Sequence, residues 1–296
     1  MQRVSAKIFF IVIFALSWCS AIFFIGNKFG IRSGYANING MNFSQANFKN
    51  LEETIPSYQL ALSNNADRGS YKKKVVKIFG TEEPVIQNLS PEEIERRVNS
   101  FYSYLDQQQY VKSYKFFSGT KEQFHKIFKM LSRKPPIIPR ETDSIDDVLK
   151  NVFYFYRVLG KERITLIKDI LENESDIIEP LMLTFYFWST SSDEHAKLDL
   201  TRPSIEQLYI LACFFLETLG GRSYVFRRDS KVRILTLYYC VLIIDQSNID
   251  GVNPNGVDIR PHLKLISEDM TQQKGLNYKN QYLIKLEMLR KKYRLP

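Results

Sequence analysis

The residues able to do chemistry are few in this chain and stand far apart. It has three histidines: His125 in a charged stretch, His195 in Ser-Ser-Asp-Glu-His-Ala, and His262 directly after Pro261. None has a metal-binding spacing such as His-Glu-x-x-His, which sets two imidazoles on one helix face beside a general base. Asp193, Glu194 and His195 have the types for acid–base work. Neighbouring residues on a loop point apart, however, so a polar connection between helices is the plainer reading. The sequence contains no Gly-rich phosphate loop, no Gly-x-Ser-x-Gly elbow and no dinucleotide fingerprint. Acidic side chains number 32, yet no spacing marks two of them as the acid and base of a hydrolase. On this reading there is no catalytic residue and no cofactor to assign, and the chain is expected not to be an enzyme.

The nearest approach to a metal site is the stretch from Asp245 to Asp258, which is rich in Asp, Asn and Gly. Asn253, Asn255 and Gly256 fit the third, fifth and sixth positions of an EF-hand loop. The first would then be Gly251, which has no carboxylate, and the last would be His262 where the loop needs a bidentate Glu. That motif fails. An irregular calcium site using Asp245, Asp250 and Asp258 is the remaining metal candidate, against a simple turn between two helices.

The formal net charge is +9, and the basic residues fall in short dispersed runs at 72–74, 96–97, 227–233 and 290–294. No nucleic-acid motif surrounds them, so nucleic acid is not expected as a partner. Most read as solvated helix faces. The C-terminal run, Lys285, Arg290, Lys291, Lys292 and Arg294, is the candidate partner-binding segment, facing an acidic protein surface or anionic lipid. Three cysteines are too few for a disulfide framework. Cys213 and Cys240 lie in apolar runs and read as buried thiols, with a bridge between them as the alternative.

The elements that must position these residues read as helices. Gly is scarce, at 13, while Phe and Tyr reach 21 and 17, a balance that disfavours many tight hairpins. Ser90-Pro-Glu-Glu93 is a capping box with Pro at the first helical position. Ser144-Ile-Asp-Asp147 is a looser box, and Ser204-Ile-Glu-Gln207 and Thr120-Lys-Glu-Gln123 are two further ones. Counting from Ser90, Ser144 and Ser204, apolar residues stand at +4, +8, +11, +12 and +15. Phe101, Phe155 and Phe215 hold the +11 place, and Gly160 and Gly220 close the second and third copies. Cap, stripe and stop recur after 54 and then 60 residues, which predicts repeat units starting near 90, 144 and 204. Further helices are predicted at 107–117, 121–132, 162–172, 176–190, 231–247, 259–271 and 278–294. Leu181–Trp188 and Leu237–Ile244 are rich enough in β-branched and aromatic residues to be strands, but their length and flanking caps favour helix. Lys74–Phe79 is ambiguous between a strand and a helical turn, and Pro135, Pro136 and Pro139 make a stiff spacer.

Residues 8–25 carry no charge over 18 positions and would reach about 27 Å as a helix, near the ~30 Å of a hydrocarbon core. Arg3 and Lys7 precede them, so the segment reads as an uncleaved signal anchor with residues 1–7 cytoplasmic. Residues 26–57 form a tether, and 58–296 form the main domain, periplasmic or otherwise extracytoplasmic. The expected fold is all-α: one transmembrane helix followed by a helical, repeat-like domain of solenoid or armadillo-like build. The expected function is a membrane-anchored scaffold or adaptor joining other envelope proteins in a motor, pilus or secretion assembly. An envelope enzyme with an unrecognised carboxylate site, and a helical module binding lipid or glycan, are the alternatives.

Overall fold

Helix starts in this chain are set by side chains that accept the first orphaned backbone N–H groups. Ser90 Oγ accepts from the N–H of Glu93 at 3.3 Å, and Ser144 Oγ from that of Asp147 at 3.2 Å, as the two boxes predict. A computed structural model describes residues 65–80, 90–115, 117–140, 142–190, 205–219, 230–251 and 256–295. Among them every regular element is helical and no strand occurs, so the fold class is all-α. The expected membrane segment 8–25, the head 1–7, the tether 26–57, the cluster Asp193–His195, Ser204 and Gly220 lie outside the described residues. No helix among the described residues is long and apolar enough to cross a membrane.

In chain order the helices are α1 Asn65–Phe79, α2 Pro91–Gln107, α3 Gln109–Lys112, α4 Thr120–Arg133, α5 Ile145–Leu159 and α6 Lys161–Asn173. A 3-10 turn, Ser175–Ile177, leads into α7 Ile178–Thr190; α8 Ile205–Leu219, α9 Lys231–Ile249, α10 Arg260–Gln272 and α11 Lys279–Lys292 follow. Both segments that resemble strands by composition are helical, α7 and α9, and Lys74–Phe79 is the end of α1. Gly160 closes α5 with φ 80° and also stands before the first residue of α6, a backbone conformation that L-residues resist. The proline spacer connects α4 to α5, with Pro136 and Pro139 buried.

Two predicted elements differ. The helix expected over 107–117 is a single turn, because Gln108 is extended at φ −75°, ψ 132°. Tyr110 and Tyr114 in this segment instead send their phenols to Glu174 and Asp169. The box at Thr120 is not the cap of α4 either. Gly119 occupies the N-cap position, Thr120 is fully buried inside the helix, and its N–H is taken by the Asp106 carboxylate from α2 at 2.7 Å. An acceptor from another helix has displaced the local one.

The apolar stripe faces one continuous core. Phe101, Phe155 and Phe215 are all buried, but among different neighbours. Phe101 meets the ring of Phe185 at 6.2 Å, whereas Phe155 meets that of Phe215 at 5.7 Å. The main packing partners are α2 with α7, α1 and α4; α5 with α4 and α6; α8 with α9; and α10 with α11. The helices α2, α5 and α8 therefore share a stripe, and α2 and α5 a serine cap, but the three do not share a set of neighbours. Cys213 and Cys240 are buried free thiols, each pushed upward in pKa chiefly by burial.

Candidate functional site

Two polar assemblies stand out, one where the ends of α9 and α11 meet and one around Glu174. The C-terminal one gathers most of the residues that the sequence marks. Asp245, in the last turns of α9, accepts from Lys292 Nζ at 2.5 Å and from the Tyr293 hydroxyl at 2.8 Å. Asn248, one turn on, donates to the same phenol oxygen at 3.1 Å. The end of α11 is thus pinned to the end of α9. At the start of α10, Asp258 accepts from the Arg260 backbone N–H at 2.9 Å and from its guanidinium Nε at 2.9 Å. The guanidinium holds the Asp258 carboxyl below its ordinary range. Asp250 accepts from Gln246 Nε2 at 2.9 Å. The three aspartates considered as calcium ligands do not converge, since each is turned to a donor of its own. Among the described residues no three His, Cys, Asp or Glu side chains form a metal-holding group. His262 is buried, with Nε2 3.3 Å from Glu217 Oε1, which joins α10 to α8.

The basic tail is not one surface. On α11, Tyr282, Leu286 and Leu289 face the core, with the Tyr282 and Tyr238 rings 4.9 Å apart. Arg290 and Lys291 flank Glu287 at 3.5 and 3.9 Å. Lys292 turns to Asp245. The outer face carries Ile284 and Met288, 63 % and 59 % exposed, with Lys291 one turn further and Lys285 alongside. Positions four and then three residues apart share a helix face, so this is one apolar strip edged by cations. Beside it, a cleft of about 330 Å³ opens between Asp258 and Arg260 on one side and Lys292, Tyr293 and Arg294 on the other. The lining sets cations beside carboxylates that already hold donors.

The second assembly was not legible in the sequence. Glu174, only 2 % exposed, accepts from Lys74 Nζ at 2.8 Å, Tyr104 Oη at 3.0 Å and Tyr110 Oη at 2.7 Å. Lys74 also reaches Asp176 at 2.9 Å. Burial works against the Lys74 charge, but the hydrogen bonds to Glu174 and Asp176 outweigh it and hold the ammonium above its ordinary range. Burial and the nearby Glu174 charge push the Tyr104 phenol up to about 12. Partners 64 and more residues apart give no spacing to read. Next to this cluster, α1 and α2 enclose a polar groove of about 460 Å³, lined by Lys77, Arg96, Asn99, Ser103, Tyr104 and Gln107. Arg96 also donates to the Phe79 carbonyl at 2.9 Å, a cation at the C-terminus of α1.

Compared with protein family models, with curated proteins and with solved structures, the chain matches none of them.

Proposed function

We propose that the chain is a membrane-anchored helical adaptor that works by contact with other envelope proteins, in an assembly of the motor, pilus or secretion type. The observation that carries this reading is the outer strip of α11. Ile284 and Met288 lie open to solvent one turn apart, and Lys285 and Lys291 border them. Large exposed apolar side chains rimmed by charge are the make-up of a contact patch. The apolar segment 8–25 supplies the anchor in this reading. The positive residues before it favour a cytoplasmic N-terminus and an extracytoplasmic domain. Units near 90, 144 and 204 belong to the same reading, which rests for them on the stripe and cap that recur in the sequence.

The test is photo-crosslinking in native membranes, with a benzophenone residue placed at 284 or 288 of the full chain. Discrete protein adducts are expected from these positions and not from Phe153, an exposed residue on α5. Replacing Lys285 and Lys291 with Glu should diminish the adducts. Adducts with lipid alone, or equal adducts from position 153, would defeat the proposal. A second reading, a glycan-binding module, draws on the amides and hydroxyls along the α1–α2 groove. It predicts protection of Tyr104 and Gln107 by soluble envelope oligosaccharide.

A further inference from the structure

Arg294 stands where the chain leaves α11. Its φ is 56°, the only positive value outside glycine among the described residues. The hydrogen bonds show why the backbone turns there. The N–H of Leu295 reaches the Arg290 carbonyl at 2.9 Å, and that of Arg294 reaches the Lys291 carbonyl at 3.1 Å. This is a Schellman closure with Arg294 at the left-handed position. Glycine is the usual occupant because it has no Cβ to clash; an arginine there is strained. A strained residue at a cleft rim is a reason to ask what its side chain does.

Arg294 lines the 330 Å³ cleft together with Lys292 and Arg260. Two of these cations are already oriented. Asp245 holds Lys292 at 2.5 Å, and Asp258 holds Arg260 through Nε at 2.9 Å and a terminal nitrogen at 2.8 Å. Asp258 itself lines the cleft, so a weak anion would gain little there. A dianion with oxygens facing several directions suits cations that approach from two helix ends. A planar monocarboxylate is satisfied by a single guanidinium.

We infer that the cleft between the start of α10 and the end of α11 binds a phosphate monoester dianion, through Arg260, Lys292 and Arg294. The site is separate from the outer strip of α11 and does not depend on the adaptor reading. The same chemistry is presented by a soluble phosphate ester and by a phosphatidate headgroup.

The experiment uses the full chain in detergent micelles at a pH near 8, where inorganic phosphate is mostly dianionic, with titration calorimetry as the readout. Saturable binding of inorganic phosphate at one site is expected. Arg294→Gly should weaken it at least tenfold while leaving the melting temperature the same or higher, since glycine suits the left-handed turn. Arg260→Gln should weaken it similarly, and Lys285→Gln should not change it. Glycerol 3-phosphate and vesicles containing phosphatidate or phosphatidylglycerol then separate the sources. Cleft-dependent sedimentation with phosphatidate vesicles alone assigns the lipid headgroup, and glycerol 3-phosphate binding without sedimentation assigns a soluble ester. Absence of saturable phosphate binding, or an Arg294→Gly protein that binds as tightly as the native one, overturns the proposal. Loss of protein crosslinks at Ile284 or Met288 leaves it standing.

Discussion

A carboxylate taken out of water needs donors for its charge, and Glu174 has three: one ammonium and two phenols. Removing one partner from such a buried pair costs more than the pair itself contributes, because the survivor keeps its desolvation penalty. Lys74→Met should therefore lower stability by about 2–4 kcal/mol. Lys74 is partly solvated, at 22 % exposure, which places the effect toward the lower end. In a Glu174→Gln background the same substitution should cost much less, since the carboxylate then left without its ammonium is Asp176, which is 37 % exposed and stays solvated. A double-mutant cycle by urea denaturation measures the coupling; additive effects would mean that the ion pair is incidental. None of this could be read from the sequence. Lys74 lies in a segment with no clear period, and its partners become neighbours only when α1 folds back on the 3-10 turn. Ser90 and Ser144 were legible because their acceptors and donors lie three residues apart.

At the scale of the element, the hydrophobic stripe was readable and its company was not. Period and caps locate α2, α5, α8, α9, α10 and α11 within a residue or two of their observed ends, since burial of one face is encoded locally. The short α3 escaped because Tyr110 within it and Tyr114 just past its end answer to carboxylates 64 and 55 residues away. Thr120 misled for the same kind of reason: Asp106 of α2 caps α4 from across the packing interface. The stripe makes a quantitative claim. Phe101, Phe155 and Phe215 sit in full burial, each against at least one other ring. Substituting any one with Ala should cost about 3–5 kcal/mol. The two that touch each other, Phe155 and Phe215, should be non-additive, while Phe101 paired with either should add. Thermal and chemical denaturation of the three single and three double variants tests this. Equal coupling in all three pairs would mean that Phe101 is linked to the other two rings as tightly as they are to each other.

At the scale of the whole molecule, a net charge of +9 sets up a field that, in the adaptor proposed above, would draw an acidic partner in before any contact forms. The expectation is that association with the crosslinked partner slows steeply as salt rises through physiological strength, where the screening length is about 8–10 Å. Which cations carry the effect follows from how the tail divides. Lys292 cannot be neutralised cleanly, because Asp245 is only 13 % exposed and would lose the ammonium that balances it. Arg290 and Lys291 share Glu287, and Arg294 is bound into the turn that closes α11. A substitution of all four at once would mix lost steering with a loosened end of α9 and α11. Lys285→Gln with Lys291→Gln avoids this, since both project from the exposed strip. The pair should slow association several-fold at low salt, leave dissociation nearly unchanged, and leave the melting temperature where it was. Stopped-flow association across a salt series checks all three. If the pair instead speeds dissociation while association holds, the lysines belong to the buried centre of the contact. Ile284 and Met288 would then be its rim, and charge would be holding the partner instead of guiding it.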